Sequence, residues 1–155
     1  MPKKNTASIL IFGILIITVT VVFFWITSAA ENEKLASDGI VSRKGLHLHP
    51  ILNIYIKGQL QTLPIDVGLG VVHQPIHTHD ADNKVHLEFS GLVTIKDTML
   101  GEFFRIWGKQ FNSNCVFDNC NGPSGTVKMF VNGQINNDFE NYPMKDEDKI
   151  EIRYE

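Results

Sequence analysis

From Ile9 to Ile26 the chain reads ILIFGILIITVTVVFFWI, and no charged side chain occurs between Asn5 and Ala30. An α-helix rises about 1.5 Å per residue and needs about 20 apolar residues to cross the hydrocarbon core of a bilayer, a length this stretch supplies. Lys3 and Lys4 precede it, and Glu31, Glu33 and Lys34 follow. The positive-inside rule therefore predicts a cytoplasmic N-terminus, with everything after Ala30 outside. Trp25, near the outer end, suits an interfacial anchor. The expectation is a single-pass anchor over residues 1–30 in the cell membrane. Ser28-Ala29-Ala30 also offers the small residues of a signal-peptidase site, so a cleaved signal segment is the alternative. The run exceeds the usual 7–15 residues of a signal h-region, which favours retention, and both readings export the remainder. A helix buried in a soluble core comes third, because the run has no polar face.

The 155 residues, 43% hydrophobic and 20% charged, leave room for one ordinary domain beyond the anchor. Residues 31–45 (ENEKLASDGIVSRKG) are polar and without strong periodicity, and read as a flexible or weakly helical tether. The domain is expected over residues 46–155. Setting aside Lys3 and Lys4 leaves 12 Lys and Arg against 17 Asp and Glu, a formal charge of −5. That balance argues against nucleic acid or an anionic lipid surface as the main partner. Cys115 and Cys120 lie in an Asn-, Gly- and Ser-rich stretch. In an oxidising compartment a close pair is read first as a disulfide, with a metal-thiolate role as the alternative.

From Leu46 to Ile56 the even positions Leu46, Leu48, Leu52, Ile54 and Ile56 are apolar while His47, His49, Asn53 and Tyr55 alternate with them, the period of a strand with one buried face. Lys57-Gly58-Gln59 signals a turn into a short return strand, Leu60 to Leu63. A loop runs from Gly68 to Asn83. Val85, Leu87 and Phe89 then alternate with His86, Glu88 and Ser90 in another strand. Thr98 is expected to cap a helix to about Trp107, with Leu100, Phe103, Phe104 and Trp107 forming a core stripe and Gly108 ending it. Thr126 to Val131, an Asn132-Gly133 turn, and Lys149 to Tyr154 complete the strands. Asp146-Glu147-Asp148 reads as a solvated acidic turn, since it lacks the spacing and glycine of a calcium loop.

This order of strand, strand, helix, strand, strand predicts an α+β chain: an N-terminal transmembrane helix followed by a β-grasp-like domain, a mixed sheet with one packed helix. The passages VKMFVNGQ and YPMKDEDKIEIRYE resemble the last strands of ubiquitin-like domains, particularly the sulfur carriers of thiamine and molybdopterin synthesis. Those carriers end in Gly-Gly, whereas this sequence ends Arg153-Tyr154-Glu155, so the resemblance implies the fold and not sulfur carriage. The domain also resembles short membrane-anchored, exported prokaryotic proteins with a His-x-His-Pro strand, a His-Thr-His-Asp loop, a His-x-Glu strand and a Phe-Phe-x-x-Trp-Gly helix. Here these are His47 to Pro50, His77 to Asp80, His86 to Glu88 and Phe103 to Gly108. That resemblance implies that the groups act as one unit; it brings no activity with it.

All six histidines lie between His47 and His86. His47 and His49, two apart on a strand, project from one face about 6–7 Å apart, and His86 and Glu88 do the same. If the two strands are neighbours, four potential ligands share a patch, over which the loop can fold His77, His79 and Asp80. The expected metal ligands are His47 or His49, His77, His79 and His86, with Asp80 and Glu88 either ligating or orienting an imidazole. His73 stands aside from this set. Imidazoles with one or two carboxylates suit copper or zinc above nickel or iron, and methionine is not interleaved as in a Cu⁺ carrier. Unliganded structural or pH-sensing histidines are the alternative.

Three functions can use such a cluster. The first is a membrane-anchored protein that stores, delivers or senses copper or zinc. The second is a metal-dependent enzyme whose three-histidine site leaves a position open, with Glu88 or Asp80 as general base. The third is an interaction module of a membrane complex, bound to a membrane-protein partner. The enzyme reading is weakened by the small concavity expected of about 110 residues built on one sheet and one helix, unless the Gly68 to Asn83 loop forms a wall.

Overall fold

The structure, a computed structural model, describes residues 6–37 and 39–155. The chain divides into a unit ending at Gly39 and a second unit from Ile40 to Glu155. The first contains α1 (Thr6–Ser37). Within it Ile11–Ala30 has a mean hydropathy of 2.4 and no buried residue, which makes it long and apolar enough to cross a membrane. Its three threonine hydroxyls are satisfied locally: Thr18, Thr20 and Thr27 each donate to the carbonyl three residues back, at 2.9, 2.9 and 3.0 Å. Lys3 and Lys4, on which the expected orientation rests, lie outside the described residues.

The expected tether is partly ordered. α1 continues to Ser37, and β1 (Ile40–Ser42) pairs antiparallel with β7 (Val93–Thr94), so the second unit starts at Ile40 rather than Leu46. The expected single strand from Leu46 to Ile56 is two: β2 (Leu46–Leu48) and β3 (Ile51–Ile56), which belong to different sheets. Pro50 is the cause. It has no N–H to continue a ladder, and its carbonyl instead accepts from Val85 N at 2.9 Å as the chain changes sheets.

The larger sheet has the order β4-β3-β12-β10-β11, with β4 at Gln59–Gln61, β10 at Val127–Val131, β11 at Gln134–Ile135 and β12 at Lys149–Tyr154. Its middle pair, β3 and β12, is parallel, with Leu52 opposite Ile150 and Ile54 opposite Ile152. The other pairs are antiparallel. Both hairpins turn through two positive-φ residues, Lys57-Gly58 (φ 50° and 79°) and Asn132-Gly133 (51° and 80°), as tight hairpins of right-twisted strands require. Leu52, Ile54, Met129, Ile150 and Ile152 are essentially inaccessible and share one core with Leu100, Phe103 and Phe104 of α2 (Leu100–Trp107). Each such side chain contributes roughly 1.5–3 kcal/mol by leaving water.

α2 begins one residue later than a Thr98 cap would set it. Thr98 closes a 3₁₀ turn, Lys96–Thr98, and spends its hydroxyl on the Ile95 carbonyl at 2.9 Å; Met99 occupies the cap without a side-chain bond. Gly108 ends the helix at φ 70°, donating to Arg105 and Phe104 carbonyls. Beyond it β8 (Cys115–Val116) and β9 (Asn119–Cys120) form a hairpin joined by a Cys115–Cys120 disulfide.

The acidic turn is not uniformly solvated. Asp148 is 5% exposed, and its carboxylate accepts from Tyr142 Oη at 2.7 Å, Asn132 Nδ2 at 2.9 Å and the Lys145 N–H at 2.9 Å. Burial, followed by this bond to Asp148, pushes the Tyr142 hydroxyl well above its ordinary range.

Candidate metal centre

The second sheet, of order β2-β6-β5, carries the histidines, with β5 at Ile76–His77 and β6 at His86–Phe89. Both pairings are antiparallel. Leu48 lies opposite Leu87, and Ile76 lies opposite Leu87 from the other side, forming a row that enters the core. Alternation then sends the adjacent rows to the other face: His47 opposite Glu88, and His86 opposite His77. His77, expected in a loop, is therefore a strand residue beside His86.

The loop before β5 is fastened from beneath. Thr78 is buried, donates to the Pro64 carbonyl at 2.6 Å, and accepts from Val67 N at 3.2 Å. Gly68, at φ 75°, packs so closely that a Cβ there would stand 2.5 Å from the Ile76 carbonyl oxygen and 3.2 Å from His77 Cβ. These contacts fix the segment that carries His77 and His79.

The six imidazoles do not converge equally. Ligand atoms of His47, His49 and His86 lie within 4.8 Å of one another, and so do those of His79, Asp80 and His86. His86 belongs to both groups. Its ring centroid is 3.9 Å from that of His79, 4.9 Å from His49 and 5.6 Å from His77. His77 stacks on His86 without joining either ligand group, and Glu88 joins neither. His73 is exposed, 6.0 Å from His77 by ring centroids, and also remains outside.

Hydrogen bonds orient three of the six imidazoles. His47 Nε2 is 3.0 Å from Glu88 Oε1, and His79 Nδ1 is 3.0 Å from Asp80 Oδ2. His77 Nδ1 is 3.2 Å from the Gln74 carbonyl. These oxygens accept only, so each ring donates there and keeps the lone pair of its other nitrogen for a ligand. His49 is placed through its backbone, whose N–H donates to Asp146 Oδ1 at 2.8 Å.

His86 is the exception. It is 8% exposed, and neither Nδ1 nor Nε2 has a hydrogen-bond partner in the protein. It lies on the face away from the core, where the imidazoles of His79, His49 and His77 cover it. An unsatisfied buried polar group costs about 1–3 kcal/mol, which a bond to a metal would remove. Burial first, then repulsion from His79, His49 and His77, pulls the His86 pKa below its ordinary value, against a smaller opposing pull from Glu88. The ring is thereby kept neutral, the form that ligates.

The concavity missing from the sequence reading is present. A cleft of about 560 Å³ opens over His49 and His86, walled by Asp80, Asp82 and Lys84 on one side and by Asp146, Glu147 and Lys149 on the other. The end of the Gly68 to Asn83 loop lines it through Asp80 and Asp82, and the acidic turn lines it through Asp146 and Glu147. Asp146 is thus a site residue the sequence reading missed; nothing local announces a partner 97 positions from His49. No protein-family model, curated protein or solved structure matches the chain.

Proposed function

We propose that this chain is a membrane-anchored, extracytoplasmic metal-binding protein that stores, delivers or senses copper or zinc through its histidine cluster. The observation that carries the reading is His86: a buried imidazole, bare at both nitrogens, ringed by three other imidazoles. Imidazole and carboxylate donors suit Cu²⁺ and Zn²⁺, and Cys115 and Cys120 are tied in a disulfide. We read the domain as a β-grasp. The order β4-β3-β12-β10-β11, the parallel middle pair and the single helix on the core face support that assignment. The apolar α1 supports anchoring, and the sequence charges on either side of it support a domain outside the cytoplasm.

Metal analysis of the purified full-length chain, alongside His86→Ala and His49→Ala, tests this. Bound copper or zinc in the wild type, lost in His86→Ala and reduced in His49→Ala, supports it. Melting should rise with added metal, by about 2.7 kcal/mol of stability at a hundredfold excess over Kd. Less than about a tenth of an equivalent of any transition metal, with melting indifferent to zinc and copper, overturns it.

A metal-dependent enzyme is the second reading, favoured by the cleft over His49 and His86. An open coordination position would let azide perturb the spectrum of a Cu²⁺-loaded site; an unchanged spectrum argues for storage or delivery.

A further inference from the structure

We propose that the cluster is a dinuclear centre in which the His86 imidazole bridges two transition-metal ions, one held with His47 and His49 and the other with His79 and Asp80. The inference rests on the metal-binding reading above and adds the number of ions and their connection.

The topology supplies the argument. β6 is the central strand of β2-β6-β5, so His86 has potential ligands on both flanks. β2 leads into one group, His47 and His49, while the chain leaving β5 provides the other, His79 and Asp80. The two groups have His86 in common and nothing else. His47 and His79 each commit one nitrogen to a carboxylate, which leaves each of them a single donor. His86 alone has two buried nitrogens free of the protein's own hydrogen bonds. One ion would engage only one of them, leaving the other buried and unpaired at a cost of about 1–3 kcal/mol. Two ions use both.

Charge and protons balance. Glu88, Asp80 and Asp146 border the cluster and offset part of the added positive charge. A neutral imidazole keeps one N–H after binding its first ion; the second ion replaces that proton, which passes to solvent. The metals undergo no change of oxidation state.

The test uses the full-length chain in detergent, stripped with a chelator and titrated with Cu²⁺ or Zn²⁺. Saturation is expected at about two ions per chain. The Cu²⁺-saturated protein should show an electron paramagnetic resonance intensity far below that of two isolated ions, because a bridging imidazolate couples the spins. Loading one Cu²⁺ and one Zn²⁺ should restore the signal of one isolated Cu²⁺. The double variant His79→Ala/Asp80→Ala removes two exposed side chains, should remain folded by circular dichroism, and should keep about one ion with its full signal. Saturation of the wild type at one ion, or at two with full uncoupled intensity, overturns the bridge and leaves the metal-binding reading standing. No bound ion at all overturns both.

Discussion

His77 and His86 face each other across β5 and β6 with their rings nearly parallel, 14° apart and 5.6 Å between centroids, yet only His77 has a hydrogen-bond partner. The same strand pairing thus yields two buried histidines of different chemistry. The Gln74 carbonyl fixes the tautomer of His77, while His86 is left with repulsion from its neighbours and no acceptor for an N–H.

That difference gives the metal-free protein a pH dependence. The folded-state pKa of His86 is lowered by burial and by His79, His49 and His77, against a smaller pull from Glu88. As pH falls, the unfolded chain takes up this proton first, so stability is complete above about 6.5 and declines as pH drops toward the folded value. Chemical denaturation of chelator-treated protein between pH 8 and 5 should record this loss, with a shallower decline in His86→Leu. Equal slopes in both proteins would show that His86 does not carry the effect.

Glu88 stands opposite His47 and accepts from its Nε2. Because this pair is exposed, its own contribution to stability is small, about 0–1 kcal/mol. Its expected consequence is orientation: Glu88→Gln should weaken metal binding by roughly 10- to 100-fold while leaving the metal-free melting temperature nearly unchanged. Calorimetric titration together with apo melting separates the two effects.

Gly68 is the point where the preceding loop meets β5. A Cβ there would press on the Ile76 carbonyl and His77, and φ 75° disfavours any side chain. Gly68→Ala is expected to cost about 1–3 kcal/mol and to weaken metal binding as β5 shifts. A variant of unchanged stability, with unaltered hydrogen-exchange protection at Ile76 to Thr78, would show that the loop does not position the strand.

Much of this architecture was legible as local pattern. The apolar run of α1, the Phe103-Phe104-Trp107 stripe and the alternating strands β3, β6, β10 and β12 each express a period set by neighbouring residues. The break at Pro50 was hidden because the apolar alternation continues through it while the pairing partners change. β5 was read as loop because two residues are too few to show a period. The histidine grouping was legible only as a count within a window; which nitrogens are occupied depends on Glu88, Asp80 and Gln74, and thus on register.

The least legible part was the acidic turn, because its two aspartates do different things at once. Asp148 accepts from Tyr142, Asn132 and the Lys145 N–H, closing the turn from within, whereas Asp146 reaches outward to the His49 N–H. Asp148→Ala leaves the buried Tyr142 hydroxyl and the Asn132 amide short of an acceptor. With about 1–3 kcal/mol for each unsatisfied group, the expected loss is about 3 kcal/mol or more, large for one substitution. Asp146→Ala removes only one exposed acceptor and should cost under about 1 kcal/mol, yet it releases His49 and should weaken metal binding. Denaturant melts and metal titrations of the two variants therefore separate in opposite senses: Asp148→Ala falls mainly in stability, Asp146→Ala mainly in affinity. If Asp146→Ala binds metal as tightly as the wild type, the turn acts as scaffold alone and His49 is held by β2 without it.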